Sequence, residues 1–160
     1  MYEDSIARIP LRARDGSVRA YAIVDATDAA FVNQWRWSLN EGYAVRGTGY
    51  RGSQHVYLHR ALLGLTHNDG LEGDHIDRNR LNCRRGNLRA IPKGGNRQNH
   101  PSRGHTSSYR GVCWSTKERK WIAQIMTDGK NIRIGCFADE IEAANAAKNA
   151  RHKLHPYATD

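Results

Sequence analysis

The stretch GDHIDRNRLNCRRGNLRAIPKGGNRQN, residues 73–99, decides how this chain is interpreted. Asp74 and His75 are adjacent at the end of a short strand-like run, a loop rich in Asn and Arg follows, and NLRAI predicts a second strand. A short stretch that we expect to be helical comes next and carries Asn96 and Asn99. Strand, loop, strand and helix can bring Asp74, His75 and Asn96 together in space, although they are distant in sequence.

The chemistry of Asp74, His75 and Asn96 suits phosphodiester hydrolysis. A hard divalent cation, Mg²⁺ or Mn²⁺, is held by carboxylate and amide oxygens, which Asp74 and Asn96 carry. His75 titrates near neutrality and can take a proton from an attacking water. Taken singly, each residue is more often structural, because an Asp–His pair on a loop and an Asn in a turn are both common. The hypothesis therefore rests on the combination.

In residue order and spacing, this segment resembles the HNH endonuclease family, in the subgroup found in phage and intron-borne mobile (homing) enzymes. The residues that carry the resemblance are His59-Arg60, Asp74-His75-Ile76-Asp77, Asn79, Leu81-Asn82, Asn87-Leu88-Arg89, and Asn96 with Asn99. The resemblance implies a ββα-metal fold with His75 as general base and Asp74 and Asn96 as metal ligands. Asn87 is then the middle Asn of the motif, whose side chain braces the loop.

The chain departs from the family pattern at four positions. Arg78 stands where Gly is frequent, and Cys83 stands where a second Asn is common. Ala90 and Pro92 replace the usual aromatic residue and Thr. None of these differences removes a proposed catalytic group.

Charge points to nucleic acid as the partner. The net charge is +9, and residues 78–117 contain eight arginines and two lysines but no Asp or Glu. Guanidinium groups suit phosphate oxygens; a solvated face, an acidic protein or anionic lipid are the alternatives. For His59 and Arg60, packing and phosphate contact are equally open. The DNA-contact candidates in the first hundred residues are His59, Arg60, Arg78, Arg80, Arg84, Arg85, Arg89 and Arg97.

The sequence predicts an α+β protein with two domains. Residues 6–24 predict a hairpin turning at Asp15-Gly16, and ATDAAFVNQW predicts a short helix capped by Thr27 or Asp28. Trp35, Trp37 and Tyr43 are expected to be core aromatics of a small sheet, with a helix from about His59. We predict a nuclease domain over 1–99 with its ββα-metal core at about 55–99, a linker at 100–107, and a second domain over 108–160.

Three strands and one helix are predicted in the second domain. YRGVCWS, KWIAQIMT and NIRIGCF read as strands, and a helix follows with Asp139 as its cap and Glu142 three residues on. This domain resembles the APETALA2/ethylene-response DNA-binding domain, a three-stranded antiparallel sheet packed on one helix. The resemblance is carried by Tyr109-Arg110-Gly111-Val112, Trp114, residues 120–125, Gly135, Phe137 and Glu142-Ala143-Ala144. It implies DNA contacts from Arg110, Trp114, Lys120, Gln124 and Arg133, although Trp114 or Trp121 can equally belong to the core.

Composition restricts the remaining function classes. The three cysteines form no C-x-x-C pair, so neither a disulfide scaffold nor a structural zinc is expected. No signal core or membrane span is recognised, and we expect a soluble, intracellular monomer acting in a bacterial or phage-infected host cytoplasm. The predicted function is a Mg²⁺- or Mn²⁺-dependent endonuclease that cuts double-stranded DNA at a recognised site. A catalytically inactive DNA-binding regulator and an RNA-binding protein are the alternatives.

Overall fold

The computed structural model describes residues 5–48, 55–93, 95, 98 and 106–159. The chain divides into two compact units, residues 1–96 and 97–160. Small antiparallel sheets and three helices make up the described residues, so the predicted α+β class is confirmed. Of the linker predicted at 100–107, only Thr106 and Ser107 are described, and Ser107 is buried. None of the helices in the described ranges is long and apolar enough to cross a membrane.

The first unit begins with the predicted hairpin. Strand β1 (Ile6–Arg12) pairs antiparallel with β2 (Val18–Asp25). The turn uses Gly16 at a φ of +92°, a conformation that favours glycine. Alternate residues of both strands are buried and enter the core of the unit: Ile9, Leu11, Ala22 and Val24.

The predicted short helix is present, but its cap differs from expectation. A 3₁₀ turn at Ala26–Asp28 leads into α1 (Ala29–Val32). Asp28 occupies the position before the helix, yet its side chain makes no capping bond because the carboxylate binds Arg85 instead. Trp37, only 1% exposed, follows and donates its indole N–H to the Val32 carbonyl at 2.8 Å.

A three-stranded sheet comes next, formed by β3 (Ser38–Asn40), β4 (Tyr43–Gly47) and β5 (His55–Tyr57). Glu41 and Gly42 form the β3–β4 turn with φ values of 50° and 81°. Two consecutive positive φ angles are typical of a tight hairpin turn. Helix α2 (Leu58–Leu62) follows β5 directly, which places its start one residue before the predicted His59.

The last two strands of this unit carry the Asp-His pair. Strand β6 (Leu71–His75) pairs antiparallel with β7 (Leu88–Pro92), and the loop 76–87 joins them. This loop is attached to β2: Ile23 donates to the Leu81 carbonyl at 2.8 Å and accepts from the Cys83 amide at 2.7 Å. The helical stretch expected after β7, with Asn96 and Asn99, lies outside the described residues.

The second unit has the predicted sheet and helix. Strands β8 (Val112–Ser115), β9 (Lys120–Thr127) and β10 (Lys130–Phe137) form an antiparallel sheet with β9 in the centre. Helix α3 (Glu140–Leu154) begins at Asp139, whose carboxylate accepts from the amides of Ile141 and Glu142, so the predicted cap is confirmed.

Close packing of this sheet and helix depends on small residues. Ala143 and Ala147 of α3 are fully buried and lie in the same core as Val112 and Ala123. At Gly111, which has a φ of +80°, an added Cβ would lie 2.5 Å from the Gln124 carbonyl oxygen. Glycine is therefore required where the chain enters β8.

Candidate functional site

Asp74 and His75 lie at the end of β6 and are almost fully enclosed, at 3% and 5% exposure. The residue before them, Gly73, lies against the His59 ring of α2. A Cβ added at Gly73 would lie 2.5 Å from Cδ2 of His59. Glycine at this position therefore lets α2 approach β6 and brings a second histidine next to His75.

The two histidines form one aromatic cluster. The ring centroids of His59 and His75 are 4.7 Å apart, and Tyr43 lies 5.4 Å from His59 and 6.1 Å from His75. Tyr57 completes the cluster at 5.7 Å from His59. His59, one of the residues predicted to contact DNA, is thus buried at 6% exposure and packs inside the unit.

Burial determines the protonation of both imidazoles. Because desolvation disfavours the charged form, the pKa of His59 falls to about 3, with smaller contributions from His75 and Arg60. Burial also lowers the pKa of His75, and the carboxylates of Asp74 and Asp77 oppose this shift without cancelling it. Both rings are therefore neutral at pH 7, which for His75 is the state that a proton acceptor needs.

Cys83 contacts the imidazole of His75 from inside the core. Its Sγ lies 3.7 Å from Nε2 of His75 and 3.9 Å from the Arg80 carbonyl oxygen. Cys83 is 1% exposed, and burial raises the pKa of its thiol to about 12, so the sulfur remains protonated. The side of the His75 ring that carries Nε2 therefore faces protein.

The proposed metal ligand Asp74 forms an ion pair across the hairpin. Asp74 and Arg89 are register partners on β6 and β7, and the guanidinium group donates to Oδ2 of Asp74 from Nε at 2.8 Å and from a terminal nitrogen at 2.7 Å. Arg89, predicted to contact DNA, is thus the charge partner of Asp74. The pair is largely buried, so each charge depends on the other for stabilisation.

Asn87 makes three hydrogen bonds within the loop 76–87. Its Oδ1 accepts from the Asp77 amide at 3.0 Å, and its Nδ2 donates to Oδ1 of Asp77 and to the Asn82 carbonyl, both at 2.8 Å. Asp77 also accepts from the Asn79 amide and from the Asn82 side chain. These bonds fix the loop that follows His75.

Two of the predicted DNA-contact arginines attach this loop to β2 and to the turn that follows it. Arg84 donates to Asp25 through Nε at 2.9 Å. Arg85 binds both oxygens of Asp28 and also donates to the Leu62 carbonyl at 3.1 Å. The charge of each is thus compensated by a carboxylate of the N-terminal residues.

The remaining arginines near the site have different placements. Arg60 donates to the carbonyls of Leu71 and Thr66, which favours packing of the two roles left open for it. Arg80 lies over the Tyr43 ring at 4.6 Å. Arg78 is exposed and has a φ of 65°, so the backbone retains a turn of the kind that glycine prefers. Arg97 and the proposed ligand Asn96 lie outside the described residues.

In the second unit, three predicted DNA contacts share one sheet face. Lys120, Gln124 and Arg133 alternate with the buried residues that pack on α3, so they lie on the face opposite to the helix. Gln124 accepts from the Asn131 amide group at 2.9 Å, which fixes its orientation. Arg133 pairs with both carboxylate oxygens of Glu118.

Arg110 and Trp114 are placed differently. Arg110 is half-buried and donates to the Gln98 carbonyl at 2.6 Å. Trp114 is 37% exposed and stacks edge-on with Trp121, its partner in the register, at 5.1 Å. Trp121 packs on the core, so of the two tryptophans it is the core residue.

The sequence did not suggest Tyr43, Tyr57 or Cys83 as part of the site. Both tyrosines come from the β3–β5 sheet, and only the fold brings them to the β6 strand. Cys83 had one signal, its departure from the family pattern, and the structure connects that position to His75.

The two proposed metal ligands, Asp74 and Asn96, carry oxygen donors of the kind that a hard cation prefers. In the described part of the chain, no three His, Cys, Asp or Glu side chains are grouped to hold a metal ion. The proposed pair is a different kind of site, with the Asp74 carboxylate and an amide oxygen at Asn96 as ligands.

Comparison of the chain with models of known families, with curated proteins and with solved structures found no match.

Proposed function

We propose that this protein is a metal-dependent endonuclease that hydrolyses phosphodiester bonds in double-stranded DNA. The observation that supports this most is the state of His75, a histidine beside a carboxylate with its pKa lowered by burial. A neutral imidazole next to Asp74, at the end of a strand and before a fixed loop, is an arrangement suited to activating water. We also propose that the protein is a member of the HNH family and has a homing role.

His75 acts as the general base. Its imidazole, which lies against Cys83 through Nε2 and is neutral at pH 7, accepts the proton of the attacking water. The Cys83 sulfur contacts both Nε2 of His75 and the Arg80 carbonyl, and this packing helps to hold the ring in its orientation. Asn87 keeps the loop after His75 in place through its bonds to Asp77.

Asp74 and Asn96 would hold the Mg²⁺ or Mn²⁺ ion, with Arg89 orienting the carboxylate through Oδ2. When bound, the cation supplies charge stabilisation at the phosphate and at the leaving oxygen. Asp74 and His75 are nearly buried, so the substrate phosphate reaches them only after the side chains around them move.

The second unit contributes recognition of the duplex. The sheet face opposite to α3 carries Lys120 and the oriented Gln124, groups able to bind phosphates and base edges. Two modules on one chain raise the effective concentration of each for adjacent DNA.

Cleavage of supercoiled plasmid tests the proposal. We expect nicking or linearisation with Mg²⁺ and none with EDTA. His75→Ala should abolish cleavage while retaining DNA binding in a gel-shift assay. His152→Ala, which removes an exposed histidine of α3, is the matched control and should cleave like the wild type. Cleavage by the His75→Ala variant would reject the assignment of the base.

A second candidate function is DNA binding without catalysis. The pairing of Asp74 with Arg89 favours it, because a carboxylate engaged by a guanidinium group and 3% exposed is a poor metal ligand as it stands. The same assay decides between the two. Binding of DNA with no cleavage under any divalent cation would leave the DNA-binding regulator as the function.

A further inference from the structure

Positive charge in the first unit is divided into compensated and uncompensated groups. Arg84, Arg85 and Arg89 each have a carboxylate partner. They are three of the six arginines that the sequence nominated for DNA contact in and after the loop 76–87. These three ion pairs reduce the charge that the loop offers to an outside partner, so other surfaces of the unit become candidates as well.

The solvent face of the β1–β2 hairpin is such a surface. Residues 6–24 contain four arginines, Arg8, Arg12, Arg14 and Arg19, and one acidic residue, Asp15. All four arginines are exposed. The Asp15 carboxylate accepts from the Ser17 amide and hydroxyl inside the turn. Among the described residues, no carboxylate lies within ion-pair distance of these arginines, although Arg19 is near enough to add to the effect of the Ser17 bonds in lowering the pKa of Asp15.

Strand geometry presents Arg8 and Arg12 on one side of the hairpin. Ile9 and Leu11 of β1 point into the core, so Arg8 and Arg12 point outwards with Pro10 between them. Pairing passes from Leu11–Ala20 to Arg12–Val18, which makes Arg19 the extra residue of a bulge. Opposite Pro10 lies Tyr21, a half-exposed aromatic ring. We call this surface, formed by Arg8, Arg12, Arg14, Arg19 and Tyr21, the hairpin face.

An open cleft adjoins the hairpin face. It has a volume of about 360 Å³, and Arg12 and Arg36 line it together with Asn33, Gln34 and Trp35. Arg12 donates to the Gly16 carbonyl, and Arg36 donates to the Ala13 carbonyl. The turn thus holds both guanidinium stems in place while each cation keeps its charge at the cleft.

We propose that the hairpin face is a third DNA-binding surface, which contacts the phosphate backbone of the duplex without reading its sequence. The proposal rests on DNA as the partner in the proposed function, but it requires no nuclease activity. Arginine forks bind phosphate oxygens, and Arg8 and Arg12 stand about 13 Å apart on an antiparallel strand, a spacing that spans several phosphates. Tyr21 adds a ring and hydroxyl that can contact the sugar-phosphate chain.

Salt dependence of duplex binding tests this assignment. Binding of the full chain to a short duplex of arbitrary sequence is measured in EDTA by fluorescence anisotropy over a range of salt concentrations. The double variant Arg8→Gln with Arg19→Gln removes two exposed charges of the hairpin face. Its matched control, Lys148→Gln with Lys153→Gln, removes two exposed charges from α3. Circular dichroism establishes that both variants are folded.

We expect the negative slope of log K against log salt to become shallower by about 1.8 in the hairpin variant, since each lost phosphate contact contributes roughly 0.9 to its magnitude. The control should keep the wild-type slope. An unchanged slope in the hairpin variant, or an equal change in both variants, would overturn the proposal.

Two further arms distinguish DNA from a membrane as the partner of the hairpin face, and duplex binding from cleavage. Vesicles containing anionic lipid are titrated in parallel; vesicle binding that the hairpin variant loses, with duplex binding unaffected, would assign the face to a membrane instead. Cleavage of plasmid at low salt and saturating protein reports on the nuclease alone. A protein that never cleaves but shows the expected change of slope retains the hairpin face as a DNA-binding surface and loses only the proposed enzyme.

Discussion

Acidification should destabilise the first unit through His59, and the size of the effect follows from its environment. The pKa of His59 is about 3 in the folded protein, against an ordinary value of 6.5. As the pH falls below 6.5, His59 binds a proton in the unfolded chain but stays neutral in the folded protein. The contribution of the neutral His59 to the free energy of unfolding is therefore fully present above pH 6.5 and is lost progressively between pH 6.5 and 3. At pH 5 the expected loss is about 2 kcal/mol, from 1.5 pH units at roughly 1.4 kcal/mol each.

The assay must follow the first unit separately from the second. The indole N–H of Trp37 is suited to this because it is buried and hydrogen-bonded to Val32 in the core of that unit. Its NMR signal, followed through urea titrations at pH 7.5 and pH 5, gives the free energy of unfolding at each pH. His59→Phe keeps a ring among Tyr43 and Tyr57 and removes the titrating group.

The comparison of pH responses isolates His59. His75 also has a lowered pKa and contributes in the same direction in both proteins, so its effect largely cancels in the difference. We expect the wild type to lose about 2 kcal/mol more than His59→Phe between the two pH values. His59→Gln repeats the test if the Phe variant fails to fold, and His152→Gln should respond to pH like the wild type. Equal pH responses of wild type and both His59 variants would refute the reasoning.

Three further substitutions have defined outcomes. Gly111→Ala brings a Cβ within 2.5 Å of the Gln124 carbonyl oxygen and should destabilise the second unit by about 3 kcal/mol. Gly129→Ala, also at positive φ but in open space, should destabilise it by about 1 kcal/mol. Equal melting temperatures of the two variants would contradict this. Arg78→Gly should be more stable than Arg78→Ala by about 1 kcal/mol in urea unfolding, since alanine at a φ of 65° retains the strain. Asn87→Ala removes three hydrogen bonds and should lower the free energy of unfolding by about 2 kcal/mol. Amide hydrogen exchange in the loop 76–87 should become faster. Unchanged exchange would show that Asn87 does not stabilise the loop.

Several structural elements could be predicted from neighbouring residues in the sequence. The turn at Asp15-Gly16 and the cap at Asp139 depend on residues within a few positions of each other, and both are present as predicted. Strand β7, which covers most of the predicted NLRAI, follows an equally local pattern.

Long-range pairing explains what the sequence left open. The carboxylate of Asp28 was expected to cap a helix, but Arg85, 57 residues away, binds it instead. An arginine-rich segment without acidic residues looks uncompensated when only its own neighbours are counted. Arg84 and Arg85 find their carboxylates in β2 and in the turn after it, which no local pattern indicates. The candidate site likewise acquires Tyr43 and Cys83 only through folding.

The attachment of the loop 76–87 to β2 has a consequence for the order of folding. The bonds from this loop to Ile23 and Asp25 join positions separated by about 60 residues, so they raise the contact order of the unit and are formed late. During synthesis the β1–β2 hairpin leaves the ribosome before the loop 76–87, so the apolar face that later receives Cys83 and Leu88 is still uncovered. A fragment that begins near residue 55 keeps the Asp74-His75 pair but lacks the β1–β2 hairpin, so the loop beside His75 has no β2 strand to bind.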